Sequence, residues 1–170
     1  MSRPNKNNEG TPEELLARAK KDAFRLLSFR ARSTSELRER MLRKKYAPET
    51  VEEVLLFCAK HDFLNDEKFA KLYAISRMQS RPTGKRMVQF ELRGKGISPA
   101  VAERALGTLE DFDEKEIALE AASKRYRLMK GVPEKTSKAR LYGFLKRRGF
   151  SQESVSYVLS KLYRNAENLE

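Results

Sequence analysis

Six apolar residues separated by steps of four, five, five, three and one recur three times in this chain. They are Leu37, Met41, Tyr46, Val51, Val54 and Leu55, then Val88, Leu92, Ile97, Ala102, Ala105 and Leu106, then Leu141, Leu145, Phe150, Val155, Val158 and Leu159. The intervals between copies, taken from Tyr46 to Ile97 to Phe150, are 51 and 53 residues, the size of a small helical repeat. A helix that ends in a left-handed residue brings the next side chain back onto the one five positions earlier. Gly96 and Gly149 occupy that place in the second and third copies, whereas the first copy has Lys45, for which the left-handed region costs roughly 1 kcal/mol. A second helix after each turn carries the closing apolar residues. Amphipathic stretches near Ala19 to Leu27, Phe69 to Ser76 and Ile117 to Leu128 precede each pair, so each unit is a three-helix module.

The helix starts are written in capping residues. Thr11, Pro12 and Glu14 combine an N-cap, a proline at the first helical position and a capping box. Ser33 and Glu36 repeat the box ahead of Leu37, and Asn65, Ser98, Asp113 and Ser151 are further caps. No stretch alternates apolar and polar residues as a half-buried strand would. The expected fold is therefore all-α, an elongated array of three tandem three-helix repeats. It divides into a disordered N-terminus at residues 1–10, repeats at 11–60, 61–109 and 110–165, and a tail at 166–170. Stacking the modules is expected to bury apolar faces that one module alone would leave wet.

Composition narrows the partners. Charged residues make up 35% of the 170 and the formal net charge is +12, a balance suited to polyanions and above all to nucleic acid. No block carries it: residues 11–60 hold 12 cations against 8 anions, 61–109 hold 9 against 5, and 110–170 hold 13 against 10. A partner that touches every segment fits this distribution better than one that meets a basic tail. The single cysteine, no sign of a secretory leader and no apolar run of membrane-spanning length lead us to expect a cytoplasmic protein that spans no membrane.

Catalytic chemistry finds little to work with. His61 and Cys58 are the sole residues of their kinds and lack two further ligands for a zinc site. They read as a helix-end imidazole and a core thiol. Asp62, Asp66 and Glu67 surround Asn65 and read as cap and first-turn acids. Gly84-Lys85-Arg86 and Gly94-Lys95-Gly96 lack the spacing and the Ser or Thr of a phosphate loop. Neither an enzyme nor a cofactor is expected. The candidate binding residues are the cations that close each repeat's second helix, namely Arg43, Lys44 and Lys45, then Arg93 and Lys95, then Lys146, Arg147 and Arg148. Lys85 and Arg86 open one such helix, and Lys124, Arg125 and Arg127 flank Tyr126, an aromatic that could stack on a base or pack on its own module. Cations in a last helical turn also offset the dipole, which explains their position but not an excess spread along the whole chain.

Three segments resemble signatures of the RecX family, small bacterial modulators of the RecA recombinase. LSFRARSTSEL, residues 27–37, is similar to a signature in which spaced arginines lead into Ser-x-x-Glu-Leu, FLNDEKFA at 63–70 to a second, and GKRMVQFELRGKGIS at 84–98 to a third. The likeness runs from about Phe24 to Tyr163 and is weakest in the third repeat. Lys45 stands where the family often has glycine, and Asp62-Phe63 where it often has Gly-Tyr, departures that bear on turns. The resemblance implies an elongated array lying in the groove of a RecA filament on single-stranded DNA, where it restrains filament growth, ATP hydrolysis and strand exchange; a monomer is expected, with single-stranded DNA as a further candidate partner. The alternative is a DNA-binding protein whose modules act as helix-turn-helix units with no recombinase partner.

Overall fold

Why three copies of one apolar pattern give three modules is visible in a computed structural model of the chain, which describes residues 10–109 and 113–167. Of the segments expected to be disordered or to form a tail, residues 1–9 and 168–170 lie outside the described residues. Nine helices and no strand occur among those described. They are α1 Pro12–Phe29, α2 Thr34–Arg43, α3 Pro48–Lys60, α4 Asp66–Ser80, α5 Lys85–Gly94, α6 Pro99–Gly107, α7 Glu114–Arg127, α8 Glu134–Arg147 and α9 Gln152–Glu167. The capping residues named above do their expected work. Thr11 and Glu14 close a complete box, Ser33, Asn65, Ser98 and Asp113 accept first-turn amides, and the Ser151 hydroxyl accepts from the Ser154 N–H at 3.1 Å. At Ser33 the box is half made, because the Glu36 carboxylate turns away to Arg30 and Lys95.

The step of five is a helix-ending turn with two backbone hydrogen bonds, and it is the same in each repeat. Tyr46 N–H donates to Met41 O at 3.4 Å and Lys45 N–H to Leu42 O at 2.8 Å. Ile97 and Gly96 pair in the same way with Leu92 and Arg93, and Phe150 and Gly149 with Leu145 and Lys146. Lys45, Gly96 and Gly149 take φ of 63°, 77° and 78°, so the last carbonyls of each second helix are satisfied inside the turn. Seventeen of the eighteen patterned residues are buried. The exception, Leu159, is half-buried. One turn further on, Tyr163 takes the covered place and its hydroxyl donates to Ser137 Oγ at 2.7 Å.

The expectation that stacking buries a shared apolar face is corrected here. Each repeat closes its own core: Ala19, Ala23 and Cys58 join the first apolar series, Phe69, Ala70 and Ala74 the second, and Ala118, Ala122 and Tyr163 the third. Small alanines on each first helix let it approach the other two closely, so the six patterned residues are used up within one module. The joints between repeats are instead polar and narrow. Ser33 Oγ, the cap of α2, donates to the carbonyl of Lys95, the C-cap of α5, at 2.6 Å. One repeat later, the N–H of Gly84, the cap of α5, donates to the carbonyl of Arg148, the C-cap of α8, at 2.9 Å. The second helix of one repeat thus begins on the turn that ends the second helix of the next. A Cβ on Gly149 would lie 2.4 Å from Met87 N, and one on Gly96 would lie 2.2 Å from Ser35 Cβ. The turn that carries Lys45 takes part in neither joint, which explains how a side chain is accommodated there.

Candidate polyanion interface

Three candidate cations at equivalent positions, Lys44, Lys95 and Arg148, belong to the framework. Lys44 Nζ bonds Asp22 Oδ2 at 2.7 Å, and the Tyr46 hydroxyl donates to the same oxygen at 3.0 Å. Lys95 Nζ crosses the first joint to Glu36 Oε1 at 3.0 Å and lies 5.0 Å from the centroid of the Tyr73 ring. Arg148 crosses the second joint, where Nη1 donates to Pro82 O at 3.1 Å, and its guanidinium lies 4.4 Å from the Phe144 centroid. Burial pushes the Glu36 carboxyl up, but the Arg30 and Lys95 hydrogen bonds outweigh it and hold the group down at about 2. All three cations are half-buried, and each is engaged in part within the protein.

The candidates that face solvent are Arg43, Lys45, Arg86, Arg93, Lys124, Arg125, Arg127 and Arg147. Arg43 pairs with Glu39 and Lys124 with Glu120 one turn away on their own helices, arrangements worth only about 0.3–0.5 kcal/mol and easily exchanged for a stronger anion. Lys85 and Lys146 are half-buried. The fold brings Arg86 and Lys146 together across the second joint, where they line a groove with Met87, Phe90, Gly149 and Phe150. It brings Arg125 and Arg148 to the same Phe144 ring, with guanidinium carbons 5.0 and 4.4 Å from its centroid. The other exposed candidates of the first two repeats, Arg43, Lys45 and Arg93, line neither of these places. Tyr126 meets Tyr163 edge-on at 5.2 Å, so it packs on its own repeat and is a poor platform for a base.

Several residues in this surface escaped the sequence reading. Arg77 holds Glu91 through two parallel hydrogen bonds of 2.8 and 2.9 Å, and Arg81 caps α4 beside the second joint. A second groove follows the first joint, where Phe63, exposed by 54%, and Leu72, by 59%, meet Leu27, Arg32 and Lys68. Phe63 follows Asp62, whose φ of 59° is left-handed; the Asp-Phe departure was the available signal for a turn that throws an aromatic outward. Cys58 is buried, the His61 ring lies against Phe57 at 4.4 Å, and among the described residues no cluster of ligands could hold a metal ion. No described helix is long and apolar enough to cross a membrane.

Comparison with known proteins gives a consistent answer. Family models for the first, second and third three-helix domains of RecX match residues 19–58, 65–106 and 113–159 in that order. The regulatory protein RecX of Chlorobium limicola is 35% identical over 148 residues, 87% of this chain and 91% of that protein. That of Amycolatopsis mediterranei is 36% identical over 150 residues, 88% and 85% of the two chains. The crystal structure of RecX from Lactobacillus salivarius superposes with a TM-score of 0.81 over 86% of this chain and 96% of that one, at 20% identity, a likeness of fold. With three tandem three-helix domains matched in order and relatives alike over most of their length, the chain belongs to the RecX family of regulatory proteins.

Proposed function

We propose that this protein regulates a RecA recombinase without catalysis of its own, as a cytoplasmic monomer lying along the RecA filament on single-stranded DNA. There it restrains ATP hydrolysis, filament growth and strand exchange. One observation carries the reading: closed modules are joined at equivalent positions, the cap of one second helix bonding the C-cap carbonyl of the next through a hydroxyl at the first joint and a backbone N–H at the second, and each presents an exposed cation at the end of its second helix, Arg43, Arg93 and Arg147 in turn. Such a ladder suits a long periodic surface of negative charge better than a compact ligand.

The helix-turn-helix alternative is disfavoured by charge. A recognition helix enters the major groove by its N-terminal turns, and two of the three helices that follow the turns here, α6 being the exception, begin with acids on an exposed face. α3 presents Glu49, Glu52 and Glu53, and α9 presents Glu153. These would meet phosphates and base edges with like charge. The test is a RecA ATPase and strand-exchange assay with the purified protein held well below the RecA concentration. Suppression of both supports the reading. Wild-type RecA rates, together with tight duplex binding in the absence of RecA, would refute it.

A further inference from the structure

The second joint carries more positive charge than its architecture needs. Arg148 is sunk between the repeats with one guanidinium N–H on Pro82 O, while its buried Nε–H has no hydrogen-bond partner. Arg125 approaches the same Phe144 ring from α7, and Arg81 stands one residue from Pro82 at the end of α4. No carboxylate among the described residues lies in ion-pair reach of Arg81, Arg125 or Arg148, whereas the neighbouring Arg77 is held by Glu91. The Arg148 guanidinium is pushed below its ordinary value, first by burial and then by the charges of Arg81, Arg125 and Arg77, with no opposing acid. Each of these arginines closes a helix, and the helix dipole explains each one singly. It does not explain why three helix ends of two repeats bring their cations within electrostatic reach of one another with no acid among them, nor why a buried donor is left unmet, an arrangement that costs stability unless an anion completes it.

We infer that Arg81, Arg125 and Arg148 form a binding site for one phosphate group at the joint between repeats 2 and 3. Donors that arrive from three helices suit the tetrahedral acceptors of a phosphate better than the two coplanar oxygens of a carboxylate. A phosphate held there ties α4 of one repeat to α7 and α8 of the next, so occupancy stiffens the joint. The site rests on the polyanion half of the function proposed above, and it needs no recombinase.

The test uses the full chain with 15N-labelled arginine and follows the side-chain Nε–Hε resonances. Inorganic phosphate, oligothymidylate and oligoglutamate are titrated separately at constant ionic strength. The Arg148 signal is expected to shift saturably with inorganic phosphate and with oligothymidylate, and an Arg81→Gln/Arg125→Gln variant is expected to need at least ten-fold more of either. Both substituted side chains are exposed, so the variant should fold, and a Lys21→Gln/Lys60→Gln variant controls for the lost charge. Saturation by inorganic phosphate but not by oligothymidylate keeps the site and assigns it to a free phosphate. A linear drift matched by chloride, or saturation by oligoglutamate alone, overturns it, the latter in favour of an acidic protein partner. Because RecA is absent, a negative result leaves the filament reading standing, and a negative RecA assay leaves the site standing.

Discussion

The backbone N–H of Lys85, the first residue of α5, donates to Glu114 Oε1 at 2.9 Å, so the acid that opens the third repeat also caps a helix of the second. The other oxygen of Glu114 accepts from Ser151 N–H at 3.2 Å and Ser154 Oγ at 2.8 Å, which places one carboxylate between the N-termini of α5 and α9. Thr34 N–H makes the corresponding bond to Asp66 Oδ1 at 2.7 Å across the first joint. Negative charge is favoured at helix N-termini, and here that preference couples neighbouring modules. Glu114→Ala strands three donors and should cost about 1–3 kcal/mol. The loss should appear as faster amide exchange at Gly84, Lys85 and Ser151, measured by hydrogen exchange, with α1–α3 unaffected.

The same carboxylates set an acid limit. Burial raises the Glu114 carboxyl, but hydrogen bonds from Ser151, the Lys85 amide and Ser154 hold it below its ordinary value, and Glu36 is held at about 2 against an ordinary 4.5. A folded-state value below the unfolded one gives stability that is complete above the unfolded value and lost as pH falls through the folded one. Melting temperature should therefore hold steady above about pH 5 and fall between about 4.5 and about 2. Glu36→Gln should lower the plateau and flatten the fall. An unchanged acid limb in that variant would mean that Glu36 does not contribute to it.

Both core truncations and turn substitutions should respect the modules. Leu145→Ala removes a fully buried side chain from the third core and should cost roughly 2–5 kcal/mol, with the loss of exchange protection confined to α7–α9 because the cores are separate. Gly149→Ala should cost more than the roughly 1 kcal/mol of a left-handed alanine, since its Cβ would collide with Met87 N at 2.4 Å and the joint must open. Lys45→Gly, at a turn outside both joints, should change stability by no more than about 1 kcal/mol. Equal effects at Gly149 and Lys45 would contradict the docking role.

What the sequence made legible was whatever a single module decides for itself. Caps such as Asn65 and Asp113 act on their own helix, and the step from Leu145 to Phe150 is fixed by local backbone geometry, so both could be read from spacing. The joints could not. Asp66 reads as an ordinary first-turn acid, and nothing local marks its bond to Thr34, a residue 32 positions earlier. Gly149 reads as a left-handed residue, and its closeness to Met87 adds a second demand with the same spelling. The cations suffered most, because a lysine that crosses a joint and one that faces water look alike in a helix's last turn. Lys95 and Arg93 illustrate this, two residues apart, one bonded to Glu36 and the other exposed.

That distinction decides how binding should respond to mutation. Arg43, Arg93 and Arg147 are exposed, one per repeat, whereas Arg148 is part of the joint, so replacing Lys146, Arg147 and Arg148 together would confuse binding with folding. Single replacements of Arg43, Arg93 and Arg147 by glutamine should leave melting within about 0.5 kcal/mol of the parent, as for surface substitutions generally. If the repeats engage a RecA–DNA filament in parallel, each replacement should weaken binding by a similar factor. The three factors should multiply, because linked modules share one effective concentration and each contact adds to the same free energy. The salt dependence should become shallower with each replacement, by about 0.7 in log–log slope wherever the lost contact is to a single-stranded phosphate. Deleting residues 113–170 should then cost more affinity than the Arg147 replacement alone, since it removes the third repeat and the phosphate site at its joint. Equilibrium binding to preformed filaments at several salt concentrations measures all of this. If one replacement abolishes binding while the other two are silent, the partner meets a single repeat and the parallel arrangement is wrong.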